Sequence, residues 1–316
     1  VEALDKLEPA IQHLIDELVV KEKKYWKTVK VGRTHLQDAT PLTFGQELSG
    51  YISALKHDLA YIRELKPTLY ELAIGGTAVG TGLNAAPGMT EKIAGKLSEV
   101  YGHKFEVKTN KFWGLAHHSG LDVVHGALKT LAADMFKIAQ DIRLLASGPR
   151  AGYHELNIPA NEPGSSIMPG KVNPTQAEAV TMAAAKVFGN DTTITFASSQ
   201  GNFEMNVFKT VIIASFLDSC DILTGTITGF ADKMIHGLTV NEERMDELLE
   251  NSLMTVTALS PHIGYHAAAK IAQTADKEGT TLREAALKSG KVTEEQYDEW
   301  MDYMQMTNVD KSTPEE

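Results

Sequence analysis

Apolar side chains that recur every three or four residues are the feature that most constrains how this chain folds. That spacing places them on one face of a helix, whereas the side chains of a strand alternate between two faces. Such stripes run through residues 4–18, 48–65 and 128–145, and further apolar or alanine-rich segments occupy residues 176–188 and 205–227. Long helices with this spacing pack nearly parallel to one another. We therefore expect an all-α fold built on a long-helix bundle.

Towards the C-terminus the helical segments become shorter, because Pro261, Gly279 and Gly290 interrupt the pattern. Proline lacks an amide hydrogen and glycine has unusual backbone freedom, so both tend to end helices. We predict a central helical-bundle domain over residues 1–242. A small C-terminal helical domain with a polar tail is predicted over residues 243–316.

Charge and cysteine content exclude several classes of protein. The 41 acidic residues outnumber the 30 basic ones, for a formal net charge of −11, and no cluster of basic residues is evident. Because an acidic surface repels phosphate backbones and anionic lipids, we expect neither nucleic acid nor a membrane as a partner. The most apolar stretch, residues 211–217, is shorter than the ~20 residues that cross a bilayer. The single Cys220 excludes an internal disulfide framework and indicates reduced, intracellular surroundings.

The segment with the clearest chemistry is NEPGSSIMPGKVNPTQ, at residues 161–176. Its three prolines and two glycines exclude a regular helix or strand, so it is predicted to be a loop. Ser165 and Ser166 supply hydroxyls, and Lys171 and Asn173 add a charge and an amide just before a helix begins. Such donors beside a helix N-terminus favour a site for a carboxylate or phosphate. The alternative is a proline–glycine connector that binds nothing, and the density of polar residues favours the site.

A second polar cluster, GRTHLQDATP, occupies residues 32–41 between two long helical stripes. His35 lies there with Thr34, Gln37 and Asp38 as possible partners. A histidine in this setting is either a functional group or a surface side chain that satisfies its own hydrogen bonds. The spacing alone leaves both interpretations open.

Two other motifs carry less weight. His117, His118 and His125 lack a third type of ligand and a regular spacing, so no metal site is predicted. The run GGTAVGTG at residues 75–82 lacks the lysine of a phosphate-binding loop and indicates a tight connection.

These motifs together resemble those of a known family. The segment GSSIMPGKVNP resembles the signature of the fumarase/aspartase superfamily of lyases, and GRTHLQDATPLTFGQE resembles its second conserved region. The flanking NEP and PTQ, with GGTAVGTGLN, SLMTVTALSPHIGY and NVFK, are similar to class II fumarate hydratases of the fumarase C type. The resemblance extends from near Val1 to about Trp300, and so covers nearly the whole chain.

The resemblance implies an enzyme of the tricarboxylic acid cycle that interconverts fumarate and (S)-malate without a metal or other cofactor. It implies a homotetramer in which each active site is shared between three subunits. The expected location is the cytoplasm, with the mitochondrial matrix left open.

The resemblance also implies roles for individual residues. Ser165 matches the catalytic base, and His35 matches a histidine that is paired with the carboxylate of Glu178. The positions that match substrate-binding residues are Thr34, Ser166, Lys171, Val172 and Asn173. The chemistry is consistent with these roles, since removing a proton next to a carboxylate builds an aci-carboxylate dianion that needs preorganised positive potential.

The sequence departs from the family pattern in two ways. The family's N-terminal domain, with its substrate loops, has no counterpart in this sequence. The sequence begins at Val1, inside a helical stripe and without a capping residue before it. We therefore expect a truncated chain that lacks a complete active site. Smaller departures mark a divergent member of the family: Trp113, Ser119, Gln200, Asn202 and Thr210.

Two other functions remain open at this point. Aspartate ammonia-lyase would release ammonia from an analogous carbanion, and belongs to the same superfamily. A non-catalytic oligomerisation scaffold is the alternative from another class, because the bundle helices are present and the substrate-binding domain is not.

Overall fold

The structure is a computed structural model that describes residues 1–315, and most of these residues are helical. The α-helices are α1 (Glu2–Lys24), α2 (Phe44–Leu65), α3 (Met89–Tyr101), α4 (Lys111–Ala116), α5 (Ser119–Leu145), α6 (Thr175–Ser198), α7 (Lys209–Phe230), α8 (Glu242–Asn251), α9 (Ser260–Ile263), α10 (Tyr265–Glu278), α11 (Leu282–Lys288), α12 (Glu294–Trp300) and α13 (Tyr303–Met306). Short 3₁₀ turns occupy Lys66–Leu69, Leu253–Leu259 and Val309–Lys311, and a π turn, Ala231–Ile235, follows α7.

The strands contain two residues each and serve only to tie connections together. They are β1 (Val29–Lys30), β2 (Arg33–Thr34), β3 (Gln37–Asp38), β4 (Leu42–Thr43), β5 (Glu71–Leu72), β6 (Glu106–Val107), β7 (Leu156–Asn157) and β8 (Thr239–Val240). Strand β1 pairs with β4, β2 with β3 and β7 with β8, all antiparallel, whereas β5 and β6 pair in parallel. The predicted all-α class is confirmed.

The predicted apolar stripes are the buried faces of α1, α2 and α5. On α1, the side chains of Leu4, Leu7, Ile11, Leu14 and Leu18 are all fully buried. Each such burial stabilises the fold by roughly 1.5–3 kcal/mol relative to exposure. The helices therefore form where the 3–4 spacing predicts them because that face has to leave water.

Helices α6 and α7 pack against each other but differ in length from the prediction. Helix α6 continues ten residues beyond Phe188, to Ser198. Helix α7 begins at Lys209 rather than at Met205, because the buried Asn206 organises the connection. The side-chain nitrogen Nδ2 of Asn206 donates a hydrogen bond to the Ala197 carbonyl at 3.0 Å.

Helix α7 with its π turn, Lys209–Ile235, is long and apolar enough to cross a membrane by length and composition alone. The short apolar stretch 211–217 does not predict this. However, Ile212, Phe216 and Leu223 are buried on the side of α7 that faces inward, and α7 packs on α6. That arrangement is typical of a core helix in a bundle, and the expectation of no membrane partner stays a prediction.

By the density of their contacts, the residues fall into two compact units that interleave along the chain. The first unit comprises Val1–Ile15, Ala54–Arg143 and Ala160–His236. The second comprises Asp16–Ser53, Leu144–Pro159 and the residues from Gly237 onwards. The division predicted at residue 242 stays a prediction.

Short helices at the C-terminal end of the second unit surround a hydrophobic core of their own. Leu259, Ile271 and Leu282 are among its buried members. Thr281 caps the N-terminus of α11 and Thr293 caps that of α12, each in a complete capping box that satisfies two backbone amides. The predicted run of short helices is confirmed, and the caps explain why helices of seven residues persist.

Two carboxyl groups meet inside the first unit. Asp58 on α2 is only 1% exposed, and it faces Asp134 of α5 closely enough for a hydrogen bond between the two side chains. Burial, the negative charge of Asp134 and that hydrogen bond together raise the pKa of Asp58 to about 7. At neutral pH, about half of the molecules therefore hold a proton on Asp58.

This pair makes stability depend on pH. An unfolded chain releases the Asp58 proton near its ordinary pKa of 3.8, whereas the folded chain holds it up to about 7, so stability falls as pH rises between these values. We expect the stability of Asp58→Asn relative to the parent to increase by on the order of 2–3 kcal/mol between pH 5 and pH 8, because only the parent loses the stabilising proton over this range. Urea unfolding at both pH values measures this, with Glu64→Gln on the same helix as an exposed control. A variant that is equally destabilised at both pH values would contradict the assignment.

Candidate active site

The base of the signature loop is fixed by side chains from both of its ends. The Thr175 hydroxyl and the Gln176 amide, at the start of α6, both donate to Glu162 Oε1, at 3.0 and 3.2 Å. Asn161 Nδ2 donates to Gln176 Oε1 at 3.0 Å and to the Lys233 carbonyl at 2.7 Å. The NEP and PTQ flanks of the sequence are therefore partners of each other. From the sequence alone, NEP and PTQ are identified only as family markers. The polar side chains at the two ends of one loop are the signal from which this contact could be predicted.

Within the loop, Gly164 passes directly beneath the returning chain. A Cβ atom added at Gly164 would lie 1.4 Å from the Lys171 carbonyl oxygen, so only glycine fits there. Asn173 Nδ2 donates to the Gly164 carbonyl and closes the same turn. The structure confirms a loop up to Pro174, two residues shorter than the predicted 161–176 because α6 begins at Thr175, and the chain crosses itself at Gly164.

Ser165 accepts hydrogen bonds from the backbone. The Ile167 and Met168 amides donate to Ser165 Oγ at 3.1 and 2.9 Å. Two N–H groups aimed at a hydroxyl oxygen stabilise negative charge on it, which is what an alkoxide base requires. This geometry is the one expected of a serine whose oxygen is stabilised as an alkoxide.

The remaining predicted binding residues of the loop are accessible. Ser166 and Lys171 are exposed, and Val172 is 43% exposed. Over the part of the chain that the structure describes, the Lys171 ammonium forms no ion pair with a protein carboxylate. It is therefore free to attract an anion that reaches the loop.

Glu178 lies in the first turn of α6, directly after the loop. Its Oε1 accepts a hydrogen bond from Arg143 Nη2 at 3.2 Å, and both side chains are about two-fifths exposed. Arg143 was not anticipated from the sequence. The partnership of Glu178 with His35 stays a prediction, because His35 lies in the other unit.

His35 lies at the tip of the hairpin formed by β2 and β3. Arg33 pairs with Asp38 and Thr34 with Gln37, which leaves His35 and Leu36 as a two-residue turn. Both turn residues have positive φ, 56° and 60°, as a type I′ turn requires. Thr34 and His35 are exposed. The prediction that His35 lies in a connection is confirmed.

The base of this hairpin is an ion pair. Arg33 donates from Nη1 and Nη2 to the two carboxylate oxygens of Glu155, each at 3.0 Å. Burial would lower the pKa of Arg33, but the hydrogen bonds and the charge of Glu155 raise it overall. Both side chains belong to the second unit.

His125 is engaged elsewhere. Its ring nitrogens lie 2.9 Å from Asp191 Oδ1 and 2.8 Å from Ser219 Oγ, and burial lowers its pKa. Although these three residue types form a hydrolase triad, Ser219 and His125 are fully buried, so the cluster is structural. Across residues 1–315, no group of three or more His, Cys, Asp or Glu side chains could hold a metal ion.

Comparison with known proteins gives the family. A profile described as lyase matches residues 1–189, and one described as fumarase C C-terminus matches residues 256–308. The chain is 54% identical over 304 residues to the class II fumarate hydratase of Listeria monocytogenes, covering 96% of this chain and 67% of that protein. It is 56% identical over 295 residues to the class II fumarate hydratase of Bacillus subtilis, covering 93% and 64%. The chain belongs to the class II fumarate hydratases.

Solved structures agree. The class II fumarase from Schistosoma mansoni superposes with a TM-score of 0.91 at 41% identity, over 95% of this chain and 66% of that one. A 3-carboxy-cis,cis-muconate lactonizing enzyme from Pseudomonas putida has the same fold, with a TM-score of 0.81 at 27% identity. The chain spans about two thirds of the length of these relatives.

One departure from the family pattern has a physical explanation. Trp113 replaces the usual acid, and the Lys108 ammonium lies 3.7 Å from the centre of its indole ring. The lysine and the indole ring thus form a cation–π contact. The structure does not explain the other departures.

The close approach of Gly164 to the Lys171 carbonyl gives a direct test of how the loop is closed. Gly164→Ala should force the two ends of the loop apart, because the new methyl group overlaps the Lys171 carbonyl. Trypsin should then cleave after the exposed Lys171 at least about tenfold faster, since cleavage requires local opening of the backbone. Gly189→Ala in α6, where a Cβ atom meets nothing within 4 Å, is the matched control and should leave the rate unchanged. Equal cleavage of both variants would show that the loop is not closed in this way.

Proposed function

We propose that the protein containing this chain catalyses the reversible hydration of fumarate to (S)-malate. The observation that carries the proposal is Ser165, whose oxygen receives two backbone amides in a loop that also presents a free ammonium. Identity above 50% to class II fumarate hydratases over nearly the whole chain supports the same reaction. Because the chain spans about two thirds of these relatives, the activity is proposed for the whole protein.

The first step is loss of a proton from the malate carbon next to a carboxylate. Ser165 Oγ takes that proton, and the electron pair moves into the carboxylate to form an aci-carboxylate dianion. Lys171 and the amide groups at the start of α6 supply positive potential where this charge develops. Ser166, Val172 and Asn173 complete the predicted contacts with substrate.

The second step is loss of hydroxide. His35 delivers a proton to the departing oxygen, directly or through a water molecule, and Glu178 of a neighbouring subunit orients the imidazole. Thr34 contacts the substrate beside it. Within one chain, Glu178 instead accepts a hydrogen bond from Arg143.

The assembly that this mechanism needs is a homotetramer with shared active sites. Apolar side chains that remain exposed on α6 and α7, Met182, Phe196 and Leu217 among them, support helix-to-helix contact between subunits. We propose a role in the tricarboxylic acid cycle, in the cytoplasm or the mitochondrial matrix, without a cofactor.

The proposed reaction is separated from its alternatives by assays on the full-length protein. Turnover of malate without turnover of aspartate supports the proposal. Aspartate turnover with release of ammonia would instead indicate an aspartate ammonia-lyase. A stable tetramer that converts neither compound would indicate an oligomerisation scaffold.

The role of Ser165 gives a specific prediction. In the full-length enzyme, Ser165→Ala should lower kcat for malate by about 10²–10⁴-fold, because the proton has no acceptor. Ser166→Ala, one residue further on, is the matched control and should mainly raise KM. A near-normal kcat in Ser165→Ala would exclude this residue as the base.

A further inference from the structure

The hairpin that carries His35 cannot hold its shape by itself. Positive φ at two residues other than glycine, His35 and Leu36, is unfavourable for the backbone of the turn. The two strands have two residues each, and an isolated two-stranded hairpin is marginal in water. One further backbone hydrogen bond, from the Ala39 amide to the Gly32 carbonyl at 2.7 Å, closes its base. A stronger restraint is needed to keep His35 in one position.

Glu155 supplies that restraint through Arg33. The guanidinium and the carboxylate form a bidentate pair with both distances at 3.0 Å, and their side chains are 11% and 0% exposed. The Tyr153 ring lies 4.4 Å from Arg33 Cζ and covers the guanidinium. Two parallel hydrogen bonds fix the orientation of a side chain as well as its distance. Arg33 is therefore immobilised one residue before Thr34 and two before His35.

Glu155 is itself held in place by two backbone hydrogen bonds and by a second cation. The Glu155 amide donates to the Leu145 carbonyl at 2.9 Å, and the Glu155 carbonyl accepts from the Asn241 amide at 2.8 Å. The buried Lys30 ammonium lies 3.6 Å from the Glu155 carboxylate and donates to Glu47 at 2.8 Å. Two cations thus face two carboxylates, which allows the group to be buried without an uncompensated charge.

We propose that Glu155 and Arg33 are positioning residues that hold the His35 hairpin in its catalytic conformation. Neither side chain has to touch substrate for this role. The buried carboxylate fixes the guanidinium, the guanidinium fixes strand β2, and the strand presents Thr34 and His35. The consequence for catalysis rests on the proposed fumarate hydration, whereas the restraint on the hairpin does not.

Hydrogen exchange of the hairpin amides tests the restraint without reference to activity. Glu155→Gln keeps the size of the side chain but removes its charge. Arg33→Lys keeps the positive charge but removes the two parallel hydrogen bonds of the guanidinium. In both variants, the amides of residues 33–39 should exchange at least about tenfold faster than in the parent. Glu47→Gln is the matched control: it breaks the other ion pair of Lys30, leaves Arg33–Glu155 intact and should not change exchange of the hairpin.

Kinetics of the full-length enzyme test the consequence. A displaced His35 should lower kcat for malate by about 10²-fold in Glu155→Gln, with Glu47→Gln close to the parent. The double variant Arg33→Gln/Glu155→Gln contains no unpaired charge from this pair, so it keeps the test valid if the single variant does not fold. It should show the same loss.

The two sets of results separate the inference from the proposed function. Unchanged hairpin exchange in the folded Glu155 variants, or an equal increase in Glu47→Gln, would overturn the positioning role. A parent enzyme that does not convert malate would instead overturn the proposed function, and the exchange data would still decide whether Glu155 holds the hairpin.

Discussion

Burial of the apolar faces of the long helices is the constraint on which the rest of this structure depends. Leu4, Leu7 and Ile11 on α1 are fully buried, as are Leu128 and Leu131 on α5. Side chains packed this way keep their helices rigid, since a core at crystal-like density has little room to rearrange. Connections that begin and end on such helices have fixed end points. The signature loop and the hairpin that carries His35 are two such connections, one in each compact unit.

The two connections are stabilised by different interactions. The signature loop is held by a close backbone crossing at Gly164 and by hydrogen bonds from the neutral side chains of Thr175 and Gln176 to the Glu162 carboxylate. The hairpin is held by a buried ion pair between Arg33 and Glu155. This difference suits their chemistry. In the proposed reaction, the exposed Lys171 charge is available to an anionic substrate, whereas the hairpin uses Arg33 internally and presents the neighbouring His35.

Much of the fold follows from the sequence because periodicity and breakers are local signals. The stripes of α1, α2 and α5, the loop at residues 161–176 and the position of His35 in a connection could all be predicted from residue spacing. The start of α7 could not, because Asn206 decides it by reaching back to the Ala197 carbonyl. Glu155 could not be found either, since its partner Arg33 lies 122 residues away. Long-range pairs of charged residues leave no periodic trace in a sequence.

Proton transfer between Ser165 and the carbon next to a carboxylate is the central step of the proposed reaction, and isotope incorporation tests it most directly. Fumarate is incubated with the full-length enzyme in heavy water, and the products are examined by proton NMR. The predicted product is malate with one deuterium, in a single stereochemical position, on the carbon that bears no hydroxyl group, and the Ser165→Ala variant should incorporate deuterium about 10²–10⁴-fold more slowly. Failure to form malate, formation of deuterated aspartate when ammonium is supplied, or equal incorporation by the variant would contradict it.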